Sequence, residues 1–305
     1  MILLQQMAAL FVLMLIGYFC GKKGVLDSVT TKKISWLVVN VANVAMILKA
    51  GTDHGQDVPK ENLLLVGGIS LGMYAFLILF GLLLPKLLGV AKEDYGIYRV
   101  MLIFSNIGFM GMPLLLAVCG PKGVLYAALF QFPFNILLYT YGIGIIGCEE
   151  GKKAGIQWKN MANAGVVACV ISLILFFGKV DLPDFMDTIL TNLSNLTAPL
   201  SMLVIGQSFT EFRLKDLFTD VRLLIFTGIK LLLIPIAGLF FLKLFTADET
   251  ILMVCLVMLS TPVASMSAML AQQYDGDYEL AAKGVALTTV LSVATIPLVS
   301  MIVGL

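Results

Sequence analysis

Apolar runs of about 20 residues recur from one end of the chain to the other, separated by short polar stretches that hold nearly all of its charge. A helix rises about 1.5 Å per residue, so a run of that length spans a hydrocarbon core of about 30 Å. The pattern predicts about ten such helices, over roughly 2–20, 34–50, 63–84, 99–118, 123–146, 160–177, 188–209, 222–243, 251–271 and 283–304. The first run has no basic segment ahead of it, and Lys22 and Lys23 follow it in place of a small-residue cleavage site. It therefore reads as a span rather than a leader. The fold class expected is an all-α polytopic membrane protein.

Composition agrees with this. The 305 residues are 59% hydrophobic and 13% charged, with a mean hydropathy of +0.98. Soluble domains average about 45–50% and about 25%. The lipid bilayer is thus the expected partner of most of the surface, and no room is left for a soluble domain. No basic stripe or zinc-ligand cluster suggests nucleic acid. The five cysteines (Cys20, Cys119, Cys148, Cys169, Cys255) form no CxxC pair, so neither a metal site nor a disulfide framework nor a cofactor is expected. His54, the one histidine, lies in a polar loop and reads as solvated.

Lysine and arginine are unevenly shared between alternate loops. Those after odd-numbered spans hold Lys22, Lys23, Lys32, Lys33, Lys86, Lys92, Arg99, Lys152, Lys153, Lys159, Arg213, Lys215, Arg222 and Lys283. Those after even-numbered spans hold Lys49, Lys60, Lys122, Lys179 and Lys243. The positive-inside rule then places the odd loops in the cytoplasm and both termini outside the cell membrane.

The two halves of the chain, 1–150 and 151–305, follow one order of motifs. Gly21-Lys22 is matched by Gly178-Lys179, and Asn40–Leu48 by Asn195–Leu203. Gly68-Ile69-Ser70 is matched by Gly228-Ile229-Lys230, and Ser105-Asn106 by Ser260-Thr261. The letters match weakly, and chance similarity among apolar helices is the alternative. An odd number of spans per half would make the halves inverted repeats, a mark of secondary transporters.

Spans four and nine carry the chemistry. The fourth reads SNIGFMGMP from Ser105 to Pro113, and the ninth reads STPVASMS from Ser260 to Ser267. Glycine and proline at mid-membrane depth break a helix, and its freed backbone groups must find other partners. Paired breaks point to a transport site, with the N-termini of the half-helices favouring an anion. A proline kink healed by a hydroxyl is the plainer alternative. The candidate substrate-binding residues are Ser105, Asn106, Gly108, Gly111, Pro113, Asn135, Lys230, Ser260, Thr261, Pro262, Ser265 and Thr289, with Asn40 and Asn195 on the scaffold side. Asn43, Gln131, Gln207 and Thr288 are further polar groups within spans, of the kind that interhelical hydrogen bonds explain.

No Asp or Glu falls mid-membrane, which argues against a cation cargo. Lys230 is the one charge well inside a span, roughly 12 Å deep at 1.5 Å per residue. It could pair with an anionic substrate or with helix C-terminal carbonyls, or snorkel towards the headgroups.

These residues resemble the auxin efflux carrier family, whose bacterial members include malate- and malonate-type permeases. SNIGFMGMP resembles its fourth-span signature, Gly17–Leu26 its first-span exit, Lys230–Pro235 its eighth span and Thr288–Pro297 its tenth. The short chain resembles the compact bacterial type. The resemblance implies two inverted five-helix repeats with crossing fourth and ninth helices. It also implies a scaffold of spans one, two, six and seven, with dimer contacts, and a transport domain of spans three to five and eight to ten, moving elevator fashion. One departure is Val44, where the family commonly has a proline; Pro199 is kept in the other half.

The function expected is secondary transport of a small organic anion, a mono- or dicarboxylate, by a homodimer. Transport of neutral or cationic cargo and a sensor on a transporter fold are the alternatives. An intramembrane enzyme would need a nucleophile–base pair or metal ligands at membrane depth, and the sequence offers neither.

Overall fold

Residues whose side chains are nearly all apolar cannot hide them in a core of their own, and in lipid they need not; the backbone, however, must be hydrogen-bonded throughout. Helix answers both demands. The computed structural model describes residues 2–53, 58–147, 164–211, 217–274 and 276–305, and all regular structure among them is helical. His54, Cys148, Lys152, Lys153, Lys159, Arg213 and Lys215 lie outside the described residues.

In chain order the helices are α1 (Ile2–Lys22), α2 (Ser28–Leu37), α3 (Asn43–Thr52), α4 (Lys60–Leu88), α5 (Tyr95–Ile103), α6 (Met112–Leu137) and α7 (Ile143–Gly147). They continue as α8 (Ala164–Gly178), α9 (Asp184–Asn195), α10 (Thr197–Ser208), α11 (Val221–Gly228), α12 (Ile234–Leu242), α13 (Glu249–Ser260), α14 (Ser265–Gln273) and α15 (Tyr278–Val303). Several neighbours are joined through single π-helical turns, at Val38–Ala42, Ile107–Gly111, Leu138–Gly142 and Ile229–Leu233. Such turns, rare in general, collect at functional sites.

Among the described residues, seven helical stretches are long and apolar enough to cross a membrane: Leu3–Lys22, Ser28–Thr52, Lys60–Leu88, Ile107–Ile146, Asp184–Ser208, Val221–Leu242 and Tyr278–Val303. Ala164–Gly178 and Glu249–Ser260 are shorter apolar helices. The stretch Ile107–Ile146 is two helices in space, because Gly120 (φ 65°, ψ −161°) reverses the chain in a conformation that a side chain would oppose. Exposed leucines such as Leu64, Leu79 and Leu87 on α4 face outward, as lipid-facing residues do.

Four helix starts away from the breaks are closed by acidic caps. Asp27, Asp220, Asp248 and Asp277 each accept backbone N–H bonds from the first turn of α2, α11, α13 and α15. The half-helices that begin inside the bundle, at Ile107 and Ser265, have no side-chain cap.

Packing groups the helices into two sets, which meet where α6 lies on α3 and α8 and where α15 lies on α1. In one, α1 lies along α10, α3 lies on α8 and α9, and α2 lies on α10. In the other, α4 packs on α5 and α6, α6 on α13, α12 on α13, and α14 and α13 on α15. The α1–α10 contact is backbone to backbone: a Cβ on Gly206 would run into the Met14 carbonyl, and one on Gly17 into the backbone of Leu203. Small residues that let backbones meet are how helices associate where no hydrophobic drive separates them from lipid. A Ser172 hydroxyl bond to the Ile47 carbonyl (2.8 Å) and a Lys49–Asp187 ion pair tie α3 to α8 and α9. Span two runs on without a break from the π-turn at Val38–Ala42 through Val44 in α3. Its counterpart is interrupted at Leu196, with Pro199 in the first turn of α10.

Gly206→Ala is expected to lower the thermal unfolding midpoint in detergent, at an overpacking cost of about 1–3 kcal/mol. Gly67→Ala, whose added Cβ meets nothing within 4 Å, leaves that midpoint unchanged or raised in the same assay.

Candidate functional site

Both breaks lie at the centre of the second set of helices, and they meet. After Ile103 the chain turns extended through Phe104–Asn106 before helix resumes at Ile107. After Ser260 it turns extended through Thr261–Ala264 before α14. The two extended segments run antiparallel, with Ser105 opposite Val263. The Asn106 N–H donates to the Pro262 carbonyl (2.7 Å) and the Ala264 N–H to the Phe104 carbonyl (2.9 Å). Each break thus satisfies backbone groups that the other has freed. A third group is met from α15: the Val263 N–H donates to Thr288 Oγ1 (3.0 Å).

Pro262 sits in its break, where its missing N–H ends α13 early. Pro113 does not break its helix; it occupies the first turn of α6, where a proline N–H is not needed. The break comes earlier, at Phe104–Asn106. Gly111 packs closely, with a Cβ there meeting Thr261 and Met258 at 3.5 and 3.6 Å.

Lys230 lies in the π-turn of Ile229–Leu233 and is buried, with a relative exposure of 2%. Its ammonium donates to the Leu102 carbonyl (2.9 Å) and to Ser105 Oγ (3.0 Å), so it does not snorkel. Leu102 is in the last turn of α5, where the dipole is negative and a cation is favoured. No carboxylate of the described residues pairs with Lys230.

The site is polar, and several of its buried groups have no partner. Asn106 Nδ2, Ser260 Oγ and Ser267 Oγ are buried without a hydrogen bond. Unsatisfied groups of this kind call for an explanation in any folded protein. Ser265 opens α14 and is half-buried. Thr289 donates to its own helix at Val285 (2.6 Å). Asn135 is buried in α6 and donates to the Gln131 carbonyl (2.8 Å), beside a Phe134 ring packed edge-on against Phe104.

Of the scaffold-side pair, neither residue is placed at the crossing. Asn40 donates to the Trp36 carbonyl of its own helix (2.9 Å), and Asn195 is exposed at the end of α9. The residue that reaches across is Asn43, three positions further on, whose Nδ2 donates to the Gly108 carbonyl (3.2 Å). Its Oδ1 is unpartnered, as are the buried hydroxyls of Thr197 and Ser201 on α10, which packs on the Ile107–Gly111 turn. A small void is lined by Met7, Met14, Met110 and Met202 with Thr289. Asn43 stood among the polar residues of span two, yet periodicity alone could not tell which asparagine faces the break.

A separate cavity of about 530 Å³ opens among the first turns of α11 and α15 and the turn before α5. Asp94, Asp220, Arg222, Asp277 and Glu279 line it. Burial, then the charges of Asp277, Glu93 and Asp220, holds the Asp94 carboxyl above the usual carboxylate range.

Comparison with known proteins gives these features a family. A transporter of Methanothermobacter thermautotrophicus, described only as uncharacterized, is 24% identical over 98% of this chain and 97% of its own length. An uncharacterized transporter of Methanocaldococcus jannaschii is 28% identical over 98% of each. The family described as membrane transport protein matches residues 2–300. The chain is therefore a multi-pass membrane transporter that belongs to this family, that of the auxin efflux carriers.

Proposed function

We propose that the protein is a secondary transporter of a small organic anion, a mono- or dicarboxylate, which binds where the two broken helices cross. The observation that carries this reading is the crossing itself. Two uncapped half-helix N-termini, at Ile107 and Ser265, begin at one place inside the bundle, beside the unpartnered amide of Asn106. Helix N-termini present free N–H groups and a positive dipole end, and both favour an anion. Neither start carries a carboxylate cap of the kind that Asp27, Asp220, Asp248 and Asp277 supply elsewhere, and such a cap would compete with an anionic substrate.

Lys230 strengthens the reading without being required to touch substrate. Its buried charge stands one hydroxyl away from the crossing and makes the site's potential more positive. It belongs to the binding site as a held cation.

Alternating access of the elevator kind fits the two packing sets. Spans one, two, six and seven would be the scaffold, and spans three to five and eight to ten the moving part, each half of the chain (1–150 and 151–305) supplying one of two inverted five-helix repeats. The contacts between the sets include Asn43 on Gly108, α6 packed on α3 and α8, and methionines, whose flexible side chains tolerate re-packing. With the lysine-rich odd loops in the cytoplasm, both termini lie outside. A homodimer formed through the scaffold is the assembly this reading takes, in the cell membrane.

Asn106→Ala is expected to weaken organic-anion binding roughly ten- to a hundredfold, the worth of a hydrogen bond to a charged group of about 1.5–3 kcal/mol. Charge movement in proteoliposomes on addition of malate, malonate, succinate or lactate measures it. A wild-type current unaltered in this variant removes the crossing as the site, and silence in both electrical and labelled-substrate assays removes the organic anion. Topology has its own check. In a cysteine-free background, a cysteine in place of Leu305 is expected to react with an impermeant maleimide in whole cells, and one in place of Val25 only after lysis.

A further inference from the structure

Both breaks free carbonyls at the end of the helix they terminate, and only one of the two ends is met by a side-chain cation. In α5, Leu102 would have been bonded by the Asn106 N–H, which goes to Pro262 instead; Lys230 takes its place. The Ile103 carbonyl is freed too, because the Ile107 N–H goes to Ser105, and α13 frees a comparable set. The Met258 carbonyl has lost its donor because Pro262 has no N–H. The Leu259 carbonyl has lost its donor because the Val263 N–H goes to Thr288, and the Ser260 carbonyl because the Ala264 N–H goes to Phe104. A long contact from Thr261 Oγ1 to Met258 (3.4 Å) is the one replacement that the side chains supply. Ser260 Oγ, fully buried, has no partner.

The repeat shows what is missing there. Ser105 corresponds to Ser260, and Ser105 Oγ accepts from Lys230. The residue corresponding to Lys230 is Ser70, whose hydroxyl turns back to the Gly67 carbonyl (2.9 Å) and, at 3.5 Å, to Leu129. One half thus carries its cation covalently, and the other ends a buried helix on neutral oxygens with no Lys or Arg of the described residues donating to them.

We infer that the C-terminal end of α13 binds a monovalent alkali cation, sodium in the first place, held by the freed carbonyls of Met258–Ser260 and by the hydroxyl of Ser260. The oxygens present are carbonyl and hydroxyl, the hard neutral donors that suit such an ion. No carboxylate is present in either crossing segment, whereas a divalent ion is usually held by one or more. Unwound backbone and half-helix C-terminal ends are where membrane transporters coordinate sodium. Bound there, the ion does for α13 what Lys230 does for α5, and it brings a second positive charge to the site that receives the anion.

This inference rests on the crossing as the binding site, and its test is made without an organic anion. The full-length protein is purified in detergent, and its unfolding midpoint is compared in sodium chloride and in choline chloride of equal ionic strength. Sodium at a hundredfold excess over its dissociation constant is expected to raise the midpoint by about 5 °C. Ser260→Ala is expected to lose that rise, Ser260→Thr to keep it, and Ser105→Ala, which touches the lysine-capped end, to keep it. Equal midpoints in the two salts for the wild type, or a rise that survives in Ser260→Ala, overturn the proposal. Organic-anion binding measured in choline chloride keeps the two readings apart: binding there with no sodium effect on stability removes the cation and leaves the anion site standing.

Discussion

Inside a bilayer an unbonded backbone group has no water to turn to, and each one costs several kcal/mol. Every notable feature at the centre of this protein follows from that constraint. Spans four and nine leave the helix at mid-depth, at Phe104–Asn106 and Thr261–Ala264, and the freed groups have few places to go. The antiparallel pairing of the extended segments Phe104–Asn106 and Thr261–Ala264 is the answer. Neither break is tenable alone, because each supplies the donors or acceptors that the other lacks.

That mutual dependence also concentrates electrostatics. Two helices end and two begin within a few residues of one point, so two negative and two positive dipole ends lie together. Lys230 answers one negative end, and a cation is inferred at the other. The positive ends remain for substrate. A neutral membrane interior thereby gains a polar centre without a single carboxylate, the arrangement expected where an anion must enter and leave.

The surrounding helices divide the mechanical work. Backbone-to-backbone contact through Gly17 and Gly206 makes the α1–α10 pair stiff. The boundary facing the crossing is different in kind, with methionines around a small void and one amide-to-carbonyl hydrogen bond from Asn43. Close packing resists displacement, whereas flexible thioethers and exchangeable hydrogen bonds permit it. The contrast gives the proposed motion a plausible plane.

Much of this was legible in the residues alone. Hydropathy located the helices because the bilayer demands long apolar runs, and STPVASMS located its break because proline lacks a backbone donor, whereas in SNIGFMGMP the helix ends ahead of the glycines and Pro113. The depth of Lys230 followed from counting. Tertiary structure decided what local rules cannot reach. Whether Lys230 turns inward or snorkels depends on an acceptor 128 residues away, the Leu102 carbonyl. Which asparagine of span two meets the crossing depends on the π-turn at Val38–Ala42, which changes the facing of everything after it and brings Asn43, not Asn40, to Gly108. Pro113 and Pro262 look alike in the sequence, yet one starts a helix and the other ends one, because a proline's effect is set by which carbonyl was waiting for its N–H. Sequence thus determined where the backbone must fail as a helix; only the fold decided what would satisfy it, since those partners come from the other half of the chain.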